Sequence, residues 1–405
     1  MDKKNIAIYT LTSALHDEKA VEATTAEFLS SLHIDYAMCG SDYADYGTHT
    51  LDLIYIRTGG TEGIFKELLP RLRSLSERPF YLLTSGKSNS LAASMEILSF
   101  LRQQGLVGEI IHGNEDYIAN RLRLLAQAAM ARQQLSHCRL GIVGQPSDWL
   151  ISSHADKERV RQLLGIELTD IPMQELKDVL SAPSEGDALP PYLSTLTAAE
   201  AVRTALPGAW HIYKALKTIV RRHQLQGFTL RCFDLLTAVR NTGCIALAQL
   251  NAEGIVAGCE GDVPALLTMT IAQALTGVSG FQANPSRIDP QTGRMLFAHC
   301  TIPLNMVERY ELDTHFESGI GVGIRGYMKE GPVTIFKVSG DLSRCFIAEG
   351  ELESNGQEPN LCRTQQVIRL SDPSAATYFL TNPIGNHHIV VPGHHKELLT
   401  TYWDR

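Results

Sequence analysis

Along the first third of the chain, apolar residues fall into short blocks whose spacing switches between two periods. Residues 5–12 hold the short apolar run from Ile6 to Leu11, and residues 34–40, 51–57, 80–84 and 109–112 are similar blocks. Runs of this length, bounded by turn-forming residues, predict buried strands. Between them, residues 16–33, 61–74 and 90–104 place apolar side chains at helical spacing, and the last of these stops at Gly105. A strand–helix alternation of this kind predicts a doubly wound parallel sheet.

Residues 114–135 read as a long helix leaving that first sheet. A second α/β unit starts at Arg139-Leu140-Gly141-Ile142-Val143-Gly144, with a helix from about Lys157, a strand near Ile166 and a polar stretch over residues 181–191. Helices are predicted over residues 198–206, 211–223 and 237–253, the last stopped by Gly254. Past Gly277 the pattern changes. Short β-branched or alternating segments (295–302, 333–339, 345–353, 366–370 and 388–391) are separated by Gly, Pro and Asn, which predicts antiparallel strands closing into a barrel. The expected fold class is therefore α/β: two doubly wound parallel-sheet domains (1–135 and 136–277), then a β-rich, barrel-like C-terminal domain (278–405).

Composition narrows the function. The 405 residues are 44% apolar and 20% charged, with a formal net charge of −8. No basic stripe is available to neutralise phosphates, which argues against nucleic acid as a partner. No stretch approaches a membrane span, and the apolar run near the N-terminus is too short for a signal sequence. The eight cysteines, at 39, 138, 232, 244, 259, 300, 345 and 362, contain no CxxC pair. That pattern reads as reduced core thiols of a cytoplasmic protein.

Candidate chemistry concentrates in two places. Cys259-Glu260-Gly261-Asp262 follows a strand-like segment, and Asp262 opens a helix with Pro264 in its first turn. Asp262 can be a plain N-cap. It can equally share a cleft with Glu260, because Gly261 permits a turn that aims both carboxylates one way. Asp234, after the apolar run 228–233, is either another cap or a third acid for the same cleft. The second place is Gly385-Asn386-His387-His388, with His394-His395 nearby and His299 as a further imidazole whose default reading is a satisfied core histidine. Carboxylates with an imidazole form the ligand set of a divalent cation that keeps positions open for substrate oxygens. Ser85-Gly86-Lys87-Ser88 lacks the first glycine of a phosphate loop, since position 81 is Tyr81. No GxGxxG follows the first strand.

Over residues 228–400 the chain resembles the L-fucose isomerase / L-arabinose isomerase superfamily. The resemblance is carried by Cys232-Phe233-Asp234, the run from Gly243 to Gly254, Cys259-Glu260-Gly261-Asp262-Val263-Pro264-Ala265-Leu266, Ala298-His299-Cys300 and Gly385-Asn386-His387-His388. It implies a cytoplasmic, metal-dependent aldose–ketose isomerase acting on a small sugar through an enediolate. It also implies a Mn²⁺ ion and a trimeric or hexameric homo-oligomer. By position, the family's metal ligands fall on Asp234 (aspartate in place of glutamate), on Glu260 or Asp262, and on His388. Asp234 and Glu260 would then be the acid/base pair, with Asp262 able to replace either. An isomerase of a sulfonated or phosphorylated hexose, and a non-catalytic sugar-binding protein on the same fold, are the alternatives.

Overall fold

The computed structural model describes residues 6–182, 189–194 and 198–404. Asn5, the start of the chain and most of the polar stretch expected over residues 181–191 lie outside the described residues. The chain separates into two compact units, residues 1–133 with 400–405, and residues 134–399.

The first unit follows the strand–helix order closely. Its elements are β1 (Ile6–Leu11), α1 (Glu18–Ser31), β2 (Ala37–Gly40), β3 (Leu51–Ile56), α2 (Glu62–Leu75), β4 (Phe80–Leu83), α3 (Ser90–Gln103), β5 (Gly108–Ile111) and α4 (Glu115–Leu135). The strands form one sheet in the order β2-β1-β3-β4-β5, and every pairing is parallel. β1 and β3 are buried along their whole length, which is why they read as continuous apolar runs rather than alternating ones.

The second unit begins with β6 (Arg139–Val143), α5 (Lys157–Leu164), β7 (Glu167–Ile171), α6 (Met173–Ser181), α7 (Pro191–Ser194) and α8 (Glu200–His223). Here the structure differs from the sequence reading. α8 is one helix through Pro207, where two helices were expected. Its buried stripe from Val202 to Val220 packs continuously on the core and outweighs the single hydrogen bond that proline removes. The opposite happens downstream. After β8 (Gly227–Leu230), the expected helix 237–253 is two pieces, α9 (Asp234–Ala238) and α10 (Cys244–Ala252). The chain breaks at Arg240, whose φ is +49°, and Thr242 leaves the helical path to exchange two hydrogen bonds with the backbone of Val322.

β9 (Val256–Cys259) completes a parallel sheet of order β7-β6-β8-β9, and α11 (Val263–Thr276) follows it. The remainder is β10 (Phe281–Asp289), β11 (Arg294–His299), β12 (Arg309–Asp313), β13 (Gly323–Tyr327), β14 (Gly331–Val338), β15 (Cys345–Asn355), β16 (Thr364–Leu370), α12 (Ala376–Thr381), β17 (His388–Pro392) and α13 (Lys396–Trp403). Six of these strands close into an antiparallel barrel, β10-β11-β16-β15-β14-β17, and β12 pairs with β13 outside it. The segments expected as separate domains at 136–277 and 278–405 share one core (residues 400–405 apart). Phe228 and Leu230 from the sheet, and Phe281, Phe297 and Ile335 from the barrel, belong to the same buried cluster. No helix among the described residues is long and apolar enough to cross a membrane.

Candidate metal centre

Glu260 sits just past the carboxyl end of β9. The turn there is tight: Glu260 has φ +61° and Gly261 φ +71°. Two successive left-handed residues are costly for any side chain but glycine, and a non-glycine held there is a mark of a functional site. A side chain at 261 is also excluded by space, because its Cβ would lie 2.4 Å from the carbonyl oxygen of Gln145. The Gly261 N–H donates to the Leu230 carbonyl (2.9 Å) and the Ser147 N–H to the Glu260 carbonyl (2.9 Å), so three segments fix the turn.

This turn sends the two acids to different tasks. Asp262 is fully buried and caps α11 by accepting from the Ala265 N–H at 2.8 Å. Its other oxygen lies 2.8 Å from Nδ1 of His387, and Lys337 Nζ stands 3.8 Å from the first. Glu260 faces a cavity of about 390 Å³. Its Oε2 accepts the indole N–H of Trp149 at 2.7 Å, and its Oε1 lies 3.5 Å from Nε2 of both His299 and His387.

The two imidazoles come from the barrel. His299 ends β11, with Nδ1 3.0 Å from the Thr301 hydroxyl. His387 immediately precedes β17. The carboxylate of Asp262 accepts a hydrogen bond from Nδ1–H of His387 and turns Nε2 toward Glu260, where it has no hydrogen-bond partner. A carboxylate that orients an imidazole this way is the usual support of a metal-ligating histidine. Glu260, His299 and His387 offer ligand atoms all within 4.8 Å of one another. One carboxylate and two imidazoles suit a divalent transition ion, and the orphaned nitrogen supplies a lone pair aimed at the common centre. These residues fit a cation.

The electrostatics agree. Burial works to raise the Glu260 carboxyl, but the facing His387 and His299 overcome it and hold the group well below the carboxylate range. Burial works to lower His387, but Glu260 and Asp262 together raise it to about 9. Asp262 is lowered, with Lys337 and His387 outweighing its burial. The two carboxylates therefore favour positive charge at this point, carried either by a protonated His387 or by a cation with His387 neutral.

The other expected site residues lie elsewhere. His388, read by position as the family's histidine ligand, points away from both acids. Successive strand side chains project to opposite faces, so one step in register separates the pair. The His388 ring is packed among Phe346, Tyr378 and Phe379. Its Nδ1 donates to the Asn386 carbonyl (3.1 Å), and its Nε2 accepts the Tyr378 hydroxyl (3.0 Å). Burial, with Lys337 nearby, lowers its pKa to about 3, so it is a neutral ring with both nitrogens engaged. Asp234 is also set apart from Glu260 and Asp262. It starts α9 and accepts from Arg231 Nε at 3.0 Å, while the same guanidinium holds Asp148 and the Pro146 carbonyl. Asp234 lines a different cavity, past the end of β6. His299, whose default was a core histidine, is instead one of the three clustered groups. Trp149, His315, Glu317 and Asn386 also line the cavity that Glu260 faces. Of these, Trp149, His315 and Glu317 lie outside every motif considered. Trp149 is half exposed despite its size, and no spacing rule points to it.

Comparison with known proteins bears on this geometry. Over 267 residues the chain is 25% identical to sulfoquinovose isomerases of Priestia aryabhattai and Priestia megaterium, covering 62% of this chain and 59% of each relative. A sulfoquinovose isomerase of Clostridium sp. is 24% identical over 231 residues, 55% of this chain and 49% of that protein. The chain thus spans about three fifths of the length of the first curated relatives it matches. No family model matches it.

Proposed function

We propose that this chain is a metal-dependent aldose–ketose isomerase of a sugar, a reading supported by its relatives being named sugar isomerases. The observation that carries the reading is the buried set Glu260, His299 and His387 at the wall of a sugar-sized cavity, with His387 held in one tautomer by Asp262. These three residues would hold the divalent ion, Mn²⁺ by family resemblance. A bound ion would polarise the sugar carbonyl and offset negative charge on its oxygen.

The chain's own groups supply the rest. Isomerisation removes a proton from the carbon beside the carbonyl and returns one to the carbonyl carbon. His315 faces the cavity with Nδ1 against the Ser318 hydroxyl, and burial lowers its pKa, so the ring is free to accept that proton. Glu317, two residues on, lines the same cavity and is the partner group for the hydroxyl proton. The Trp149 indole holds Glu260 in place, and Asp262 does the same for His387. Asp234, tied to Arg231, has no part in this scheme.

Two substrate readings each rest on a specific observation. The relatives' name favours a sulfonated hexose. The polar groups lining the cavity are carboxylate, amide, imidazole, indole, thiol and hydroxyl, with no Arg or Lys among the described residues that line it, which favours a neutral sugar of the fucose or arabinose type. The test is a panel of neutral and sulfonated aldoses with Mn²⁺ in deuterated water. Solvent deuterium should enter the product beside the new carbonyl, and His387→Gln should abolish it. Turnover that is unchanged in both His387→Gln and His299→Gln would end the reading.

A further inference from the structure

Five of the eight cysteines, 232, 244, 259, 300 and 362, line the cavity that Glu260 faces, and the isomerase scheme uses none of them. All eight are free thiols. Cys232 Sγ lies 3.2 Å from Cys259 Sγ. A disulfide is about 2.05 Å long, so closure by about 1.2 Å would join them. The pairing of β8 with β9 brings them together. Leu230 of β8 pairs with Cys259 of β9, and Cys232 follows two residues later.

We propose that Cys232 and Cys259 form a reversible modification site for hydrogen peroxide and that their oxidation disables the neighbouring cation site. The Cys232 sulfur attacks one peroxide oxygen and the O–O bond breaks. The departing hydroxide takes the thiol proton and leaves as water. Cys259 then attacks the sulfenic sulfur, the S–O bond breaks, and the oxygen leaves as a second water with the Cys259 proton. Two thiols and one peroxide give one disulfide and two waters, with two electrons passing from sulfur to oxygen.

The consequence for Glu260 follows from what is pinned. The Cys259 N–H donates to Gln282 Oε1 (2.9 Å), and its carbonyl accepts from Thr229 and Gln282 (3.3 Å each). Closure is therefore taken up by the segment around Cys232. The next residue, Phe233, packs edge-on against Trp149 with ring centres 4.8 Å apart. Trp149 in turn holds Glu260. Drawing Cys232 inward moves that wedge and loosens the carboxylate. This second step rests on the cation reading, whereas the disulfide itself does not.

The experiment treats the reduced full chain with hydrogen peroxide, alkylates the remaining thiols, and maps peptides while calorimetry follows Mn²⁺ binding. A peptide pair joined through Cys232 and Cys259 should appear and be released by dithiothreitol. Mn²⁺ affinity should fall by about tenfold or more on oxidation and return on reduction. Cys232→Ser and Cys259→Ala, each checked for folding by thermal melting, should lose the joined pair. Their affinities should not change under peroxide relative to their own reduced samples. Sulfinic acid without the joined pair, or a bridge between other cysteines alone, overturns the site. A joined pair with unchanged Mn²⁺ affinity overturns its effect on Glu260. Reduced protein that binds no Mn²⁺ overturns the cation reading and with it that effect, and the peptide map still decides the thiol site.

Discussion

Lys337 and Asp262 present a buried ion pair whose two members should respond very differently to removal of the other. Both side chains are 1% exposed or less, and Nζ and Oδ1 are 3.8 Å apart. At an effective dielectric of about 20, unit charges at that distance attract by about 4 kcal/mol. Among the described residues Lys337 has no other partner, since its ammonium makes no hydrogen bond. Asp262 keeps His387 at 2.8 Å and the Ala265 N–H at 2.8 Å. Asp262→Asn therefore strands a buried ammonium and should cost about 3–5 kcal/mol. Lys337→Met removes the stranded charge along with the side chain and leaves Asp262 two partners, so it should cost less than about 2 kcal/mol. The double variant should lie close to Lys337→Met alone. Urea unfolding of all four proteins measures this cycle. Equal, additive losses in the two single variants would show that the ammonium is compensated by something other than Asp262 and would refute the reasoning.

His388→Phe should keep Mn²⁺ affinity within a few-fold while lowering stability by about 1–3 kcal/mol, because the Tyr378 hydroxyl and Asn386 carbonyl lose their partner. His387→Gln should lose Mn²⁺ affinity and also stability, because Asp262 and Glu260 lose their buried partner, and calorimetry with urea unfolding separates the two variants. Asp234→Asn should retain turnover within a few-fold in the deuterium-exchange assay, since its carboxylate serves Arg231. Gly261→Ala should destabilise the chain by more than about 2 kcal/mol in thermal melts, from backbone strain and the clash with Gln145. Asp341 is held down to about 2 by Ser339 and Ser343. A carboxyl lowered on folding adds stability above its unfolded pKa. A small contribution should therefore fade between about pH 4 and pH 2, and Asp341→Ala should remove that part of the acid sensitivity in melts across this range.

The strand–helix rhythm of the first unit was legible because its central strands β1 and β3 are buried on both sides and read as apolar runs between helically spaced segments. α8 and the α9–α10 break were misread for one reason: Pro207 and Thr242 act through tertiary contacts that local propensity does not contain. β12 and β13 went unseen because their pairing lies outside the barrel and lacks a long apolar run. In the site, the Glu260-Gly261-Asp262 turn was readable from the need for a glycine. Choosing between His387 and His388 required strand register, which depends on β10 across a hundred residues. Asp234 misled because nothing in its spacing reveals that Arg231, three residues back, claims it. The cysteines were read one at a time. Only the fold brings five of them around one chamber.

β17 has a consequence for how this chain is made. It is the slat that shuts the barrel, lying between β10 and β14. Until residues 388–392 emerge from the ribosome, both neighbours present bare amide edges to anything nearby, and His387 is not yet in place. A stalled or clipped nascent chain would thus be sticky and inert together, so premature termination should show itself as aggregation.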